Sequence, residues 1–351
     1  MRERIKNMEN NDLLILSAQD VSSLLAHRES EIIATVQRAY EAHAQGASSL
    51  PQSTFLRFPD APQNRIIALP AYLGQGFDVA GIKWVASFPN NLQLGLERAS
   101  AITILNSVAT GQPKVIVEGS IINAKRTAAS AALAAQTLQS QKKATCAGII
   151  GCGVINFEVV RFLCAACPEI KRLVLFDLSS ERLQQFKQKC LQLADHLEIS
   201  IASDIESVLK DAPLISLATT SATPYISDIS ASIKGSTILH VSLRDLAPEV
   251  ILACDNVADD ISHVMREQTS VYLTEQQTGH RDFMRCTLAD VLLGNAPARR
   301  DANSTLVFSP FGLGILDIAV GTLVYHLALE QKIGTVIPSF LPTHWHQRSS
   351  N

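Results

Sequence analysis

Two glycines and an aspartate carry the most definite chemistry in this sequence. Gly151 and Gly153 stand in a turn behind a short apolar stretch (Ala147, Ile149, Ile150); a helical segment follows, and a second apolar stretch from Leu173 to Phe176 ends on Asp177. Strand, glycine turn, helix and a strand closed by a carboxylate make a dinucleotide-binding βαβ unit. Gly151 permits the tight turn and Gly153 lets the main chain approach a pyrophosphate. The helix behind them, from Val154 and Ile155 onward, offers unpaired N–H groups and the positive end of its dipole. Asp177 is placed to accept hydrogen bonds from the adenosine ribose, and its charge would repel a phosphate there, so NAD is expected over NADP. Asn156 stands where a third glycine would serve helix-to-strand packing.

A nicotinamide enzyme also needs cations for substrate carboxylates and a group that moves a proton. Four cations punctuate the first third of the chain: Arg57, Lys83, Arg98 and Arg126. Lys83 and Arg126 sit among apolar or small residues, where a charge requires partners. Arg57 in an amphipathic strand and Arg98 beside Glu97 fit a substrate contact and a solvated or ion-paired surface equally well. Asp245 follows the fifth strand of the nucleotide unit, at the carboxyl end where open α/β sheets bind ligands, and is the candidate general base; Arg244 is the alternative partner for its charge. Thr219 and Thr220, after the fourth strand, face the cofactor by the same argument. The loop Ser309 to Gly314 reads equally as a cover for the nicotinamide and as a helix-entry turn.

The elements that must position these residues fall into two textures. Val21, Leu24, Leu25, Ile32, Ile33 and Val36 have helical spacing; Ser53 to Leu105 is strand-like, with a turn at Asn106 to Pro113 and a return strand after it. An Ala-rich helix begins near Ile121, and from Thr145 strands alternate with helices, as in a mostly parallel sheet, with a sixth strand near Asn256 and Val257. A long helix from Gly314 lies beyond the nucleotide domain and is expected to return to the first one. The fold class is therefore α/β, with a Rossmann-type NAD-binding domain at 128–315 and a discontinuous α+β substrate domain at 1–127 and 316–351.

Composition narrows the function classes. The 351 residues are 47% apolar and 18% charged, as in a globular enzyme, and the net charge of −3 has no basic block behind it, so neither nucleic acid nor an anionic membrane is an expected partner. No apolar run spans a bilayer and the start, MRERIKNMENN, lacks a signal-peptide core, so the cytoplasm is the expected compartment. The seven cysteines read as buried thiols, including the Cys164–Cys167 pair at a helix end. His344 and His346 read as a solvated tail, and no metal site is expected.

The ordered set K-W-x-x-x-F-P-N from Lys83, T-G-x-P from Thr110, R-T-A-A-S from Arg126, the Gly151–Gly153 turn, Asp245, and S-x-x-G-x-x-x-x-D from Ser309 to Asp317 resembles the ornithine cyclodeaminase and μ-crystallin family over nearly the whole chain. GLERASA at Gly95 to Ala101 and RIIALPAYLG at Arg65 to Gly74 look like its siderophore-pathway branch, which oxidises N-(2-amino-2-carboxyethyl)-L-glutamate with NAD to form L-2,3-diaminopropionate. The resemblance implies that Arg57, Lys83 and Arg126 hold carboxylates, with Asp245 as the acid/base group and Lys83 beside it in the catalytic set. It also implies that Thr127, Gly153, Val154, Asp177, Thr219 and Ser309 line the cofactor, and that the chain is a homodimer built on its first domain. Arg98 is then a further cation for a substrate with three carboxylates. Pro248 and Glu249 follow Asp245 without the lysine expected of a cyclodeaminase. Ornithine cyclodeaminase, an alanine or imino-acid dehydrogenase, and a non-catalytic nicotinamide-binding protein are the other readings.

Overall fold

A computed structural model describes residues 11–139 and 143–342. His344 and His346 lie outside them. In chain order the elements begin β1 (Leu13–Leu16), α1 (Ala18–Leu24), α2 (Glu29–Ala44), β2 (Ser48–Ser49), β3 (Thr54–Phe58), β4 (Ala61–Leu73), β5 (Val79–Ser87), β6 (Ala99–Ser107) and β7 (Pro113–Glu118). Then come α3 (Ser120–Thr137), β8 (Cys146–Ile150), α4 (Val154–Ala166), β9 (Arg172–Phe176), α5 (Ser180–Leu193), β10 (Glu198–Ile201), α6 (Ile205–Asp211), β11 (Leu214–Leu217) and β12 (Thr237–His240). The chain continues through α7 (Pro248–Ala253), β13 (Asp255–Ala258), α8 (Ile261–Val264), α9 (Ser270–Thr278), β14 (Met284–Thr287) and α10 (Leu288–Leu292). It closes with β15 (Leu306–Ser309), α11 (Gly314–Gln331) and β16 (Thr335–Ile337). No helix among the described residues is long and apolar enough to cross a membrane.

The chain divides into two compact units. The first takes residues 1–28, 45–123 and 314–351, and the second 29–44 and 124–313. The C-terminal helix α11 belongs to the first unit, packing on β4, β5 and β6, so that unit is discontinuous. Helix α2, expected in the first domain, falls in the second unit, where it packs on α4 and α10. Its buried face of Ile32, Ile33, Val36, Ala39 and Tyr40 has helical spacing but carries no mark of which unit it will join.

The first unit is built on a mixed sheet in the order β16-β1-β7-β6-β5-β4-β2, with β3 paired to β4. Successive side chains of a strand point to opposite faces. In β5 the residues Val79, Lys83 and Ser87 are buried, while Trp84 points the other way and is 41% exposed. The odd-numbered residues of β3 to β6 thus share one face, in cross-strand rows such as Leu69, Lys83 and Thr103. The opposite face is apolar and open, with Leu56, Tyr72, Trp84 and Ile102 exposed.

The second unit is a wholly parallel sheet in the order β10-β9-β8-β11-β12-β15-β13-β14. Strands β8, β11 and β12 are buried along their whole length, as in a parallel sheet covered on both faces, and are apolar but for Ser216, Thr237 and His240. The chain runs outward from β8 to β9 and β10, then returns to place β11 on the other side of β8. That reversal opens a crevice at the carboxyl ends of β8 and β11, where ligands of such sheets bind.

Candidate active site

The crevice has the features of a dinucleotide cradle. Gly151 takes a φ of +91°, and a Cβ there would lie 2.5 Å from the Ala218 carbonyl oxygen, so the turn admits only glycine. Gly153 caps α4 without a side-chain hydrogen bond, and a Cβ placed on it would meet nothing within 4 Å. The first N–H groups of a helix have no intrahelical partner, and the open space beside Gly153 leaves room for a pyrophosphate at this helix start. Val154, at the start of α4, is 59% exposed. Asp177 accepts the Cys152 N–H at 2.7 Å through Oδ2 and the Ser179 N–H at 2.8 Å through Oδ1, which fixes the carboxylate at the end of β9. Each oxygen keeps a further lone pair for a ribose hydroxyl.

Asn156 does more than replace a glycine. Fully buried, it donates from Nδ2 to the carbonyls of Ile150 at 2.9 Å and Gly151 at 2.7 Å, and accepts the Ser216 hydroxyl at 2.7 Å. The amide stitches the glycine turn to β8 and β11.

Asp245 is the hub of the carboxyl edge and is wholly buried. Its Oδ1 accepts the Thr219 hydroxyl and the Tyr225 hydroxyl, the latter at 3.0 Å. Its Oδ2 accepts Ser242 Oγ at 2.5 Å and lies 3.1 Å from His240 Nε2. Burial alone would raise this carboxyl, but the His240 hydrogen bond and charge, with the Ser242 and Thr219 hydroxyls, outweigh it and hold Asp245 well below the ordinary carboxylate range. His240 Nε2 is also 3.1 Å from the Asp245 N–H. A nitrogen that carries a proton donates to Oδ2, and one that lacks it accepts from the main chain, so the imidazole tautomer and the Asp245 charge are coupled. On the far side of the ring, Nδ1 meets Ser309 Oγ at 3.4 Å. Arg244 does not pair with Asp245; its guanidinium turns to the Glu267 carbonyl at 3.2 Å and 2.5 Å. Thr220 is exposed.

The loop from Ser309 to Leu313 is held by Asp259, whose carboxylate accepts the N–H groups of Phe311 at 2.9 Å and Gly312 at 2.7 Å. Gly312 has a φ of +90°, and a Cβ there would approach Arg126 Nη1 to 2.7 Å. The loop is therefore shaped to admit the Arg126 guanidinium, which is 8% exposed on α3, one residue ahead of the half-buried Thr127.

In the first unit, Lys83 is buried at 2% exposure, and its Nζ donates to Asp317 Oδ2 at 2.7 Å and to Asn123 Oδ1 at 2.9 Å. The same sheet face carries a second cationic group four residues along β5. Arg57 lies directly across from Arg65, Arg65 directly across from Ser87, and Arg98 Nη1 donates to Ser87 Oγ at 2.8 Å. Arg65 and Arg98 thus flank one serine, roughly 13 Å along the strand from Lys83, and the exposed Arg57 stands one strand further across. Burial lowers the Arg98 guanidinium from its ordinary value, and Arg57 stacks on Phe55 with its Cζ 5.4 Å from the ring centroid. Arg65 and Asp317 are absent from the sequence-level expectations for these cations because only strand register and the return of α11 bring them there. Among the described residues no cluster of metal-ligating side chains occurs, and all seven cysteines are free thiols.

The profile of the ornithine cyclodeaminase/mu-crystallin family matches residues 11–332. An N-((2S)-2-amino-2-carboxyethyl)-L-glutamate dehydrogenase of Staphylococcus aureus is 28% identical, over 93% of this chain and 99% of that protein. An alanine dehydrogenase of Archaeoglobus fulgidus is 26% identical, over 94% of this chain and 99% of that protein. The structure of the Thermococcus litoralis Δ(1)-pyrroline-2-carboxylate reductase, in complex with NADH and L-proline, superposes with a TM-score of 0.85 at 25% identity, covering 92% of this chain and 99% of the reductase.

Proposed function

Since the chain belongs to the ornithine cyclodeaminase/mu-crystallin family, we propose that it is an NAD-dependent oxidoreductase that cleaves N-(2-amino-2-carboxyethyl)-L-glutamate, with water, into 2-oxoglutarate and L-2,3-diaminopropionate. The diamine supplies siderophore or related natural-product synthesis. The observation that supports the substrate assignment is the row of Arg57, Arg65 and Ser87, with Arg98 bonded to the serine, on the Lys83 face. A substrate with three carboxylates uses cations that a monocarboxylic amino acid has no need of. The likeness to the glutamate-adduct dehydrogenase points the same way.

Gly151, Gly153, the start of α4 and Asp177 would hold NAD, with Thr127, Ile155, Thr219, Thr220 and Ser309 beside it, and the bound cofactor would supply the hydride acceptor. Lys83, Arg57, Arg98 and Arg126 take the substrate carboxylates and so fix the glutamate Cα. Loss of hydride from that carbon of the neutral secondary amine leaves an iminium ion that keeps its N–H, and water adds to it. Asp245 receives one proton of the water, and the carbinolamine collapses as its hydroxyl proton passes to the nitrogen, cleaving the C–N bond and releasing a primary amine. As an anion with four donors, Asp245 is a weak base at rest and takes a proton only when one of those hydrogen bonds lengthens; a positioned group of this kind contributes about 10²–10⁴ in rate. We assign the open apolar face of the first unit's sheet to a homodimer, and the cytoplasm as the compartment.

Arg98→Ala tests the substrate. The expected result is a KM for the tricarboxylate raised about tenfold or more with kcat little changed, the mark of lost uniform binding. An unchanged KM removes Arg98 from the site. An alanine or imino-acid dehydrogenase, the second reading, rests on the similar identity of the archaeal relative; in that case Arg98→Ala leaves oxidation of the monocarboxylate untouched.

A further inference from the structure

Asp245 is shut away from solvent, yet one of its donors is not. Of the four side chains on its carboxylate, His240 is fully buried, Thr219 and Ser242 are half-buried, and Tyr225 alone is exposed, at 42%. Tyr225 sits in the connection between β11 and β12, and its place is fixed by the main chain: the N–H groups of Tyr225 and Ile226 both donate to the Asp245 carbonyl, at 3.0 Å and 2.9 Å. The hydroxyl is thereby delivered to Oδ1 at 3.0 Å while the ring reaches the surface. Burial and the Asp245 charge raise the Tyr225 phenol, which stays a donor through the neutral range. The other groups facing Asp245 are engaged elsewhere: His240 meets Ser309, the Ser242 hydroxyl also reaches the Leu217 carbonyl at 3.0 Å, Thr219 Oγ1 accepts the Ser221 N–H at 3.3 Å, and Arg244 turns to the Glu267 carbonyl.

We propose that Tyr225 is a positioning residue that holds Asp245 as the anion between turnovers and connects its carboxylate to solvent as the path by which the proton leaves. The assignment rests on the reading of Asp245 as the group that takes the proton of the attacking water. Once Oδ1 carries that proton, the Tyr225 hydroxyl turns its hydrogen from Oδ1 to a solvent molecule and accepts from Oδ1; the Oδ1 proton then passes to the Tyr225 oxygen as the phenolic proton leaves that oxygen for the solvent molecule. One O–H bond forms on the tyrosine as one breaks, the phenol ends neutral, and no oxidant or reductant is required.

Tyr225→Phe keeps the ring and removes the relay, and because the side chain is exposed the fold tolerates it. Turnover is measured at several concentrations of imidazole buffer, with the amino acid that the wild-type chain oxidises fastest. The expected variant loses about 10-fold to 100-fold in kcat, retains NAD affinity within about twofold, and regains rate as buffer rises, because a small base replaces the missing path; wild type is insensitive to buffer. A variant whose rate is unchanged, or is lowered by the same factor at every buffer concentration, overturns the proposal. Failure of the substrate reading shows separately, in the wild-type chain with the tricarboxylate.

Discussion

Replacing Asp317 by asparagine keeps the size of the Lys83 partner and removes its charge. The ammonium and carboxylate lie 2.7 Å apart with side chains 3% and 0% exposed, so neither can recover hydration when the other is lost. Breaking a buried pair by removing one partner costs about 3–5 kcal/mol, because a charge is left in a medium that cannot solvate it. Asp317→Asn and Lys83→Met should each fall in that range, whereas Lys83→Met with Asp317→Leu, which leaves no buried charge, should be destabilised less than either single change. Glu206 and Lys210, on the exposed face of α6 with side chains 65% and 58% exposed, supply the control: Glu206→Gln should leave stability unchanged. Urea unfolding is followed by tryptophan fluorescence, since Trp84 neighbours Lys83 in β5 and reports the first unit, and by circular dichroism, which also reads the second unit that carries α6. An unfolding midpoint for Asp317→Asn equal to wild type, or a double variant as weak as the singles, would refute the buried pair as a structural requirement.

Asp177→Ala should shift cofactor preference toward NADP by about tenfold or more relative to NAD, through loss of a like-charge contact; titration of both nucleotides measures it, and an unchanged ratio contradicts the ribose assignment. Burial pushes the thiols of Cys152, Cys190 and Cys254 up to about 12 from 9.0. With folded values above the unfolded one, their contribution to stability is complete below pH 9 and is lost as pH rises from 9 toward 12. The native protein at pH 8 should therefore resist alkylation at these three positions, and mass spectrometry finding them modified before unfolding would contradict their burial.

Much of the nucleotide unit is legible in the sequence because local chemistry fixes it. Gly151 and Gly153 each answer to a backbone requirement, and the apolar runs on either side form β8 and β9 as expected. What sequence alone does not disclose is long-range pairing. Arg65 becomes part of a cationic group only through its register with Arg57 and Ser87. Asp317 becomes the partner of Lys83 only because α11 returns to the first sheet. The insertion of β15 between β12 and β13 leaves no local trace, since four buried residues, Leu306 to Ser309, could fill any central position. Asn156 reads as the loss of a glycine, and its role as a triple hydrogen-bond clamp depends on Ser216 sixty residues away. Tyr225 is likewise an unremarkable loop aromatic until the fold sets its hydroxyl on Asp245.

Anaerobic incubation of the purified chain with NAD and N-(2-amino-2-carboxyethyl)-L-glutamate tests the proposed reaction. Reduced nicotinamide is followed by absorbance and the products by mass spectrometry, with L-ornithine and L-alanine run in parallel. NADH, 2-oxoglutarate and 2,3-diaminopropionate are expected in equal amounts from the tricarboxylate. Reduction with L-alanine alone, or proline from ornithine without net reduction, would contradict the proposed reaction.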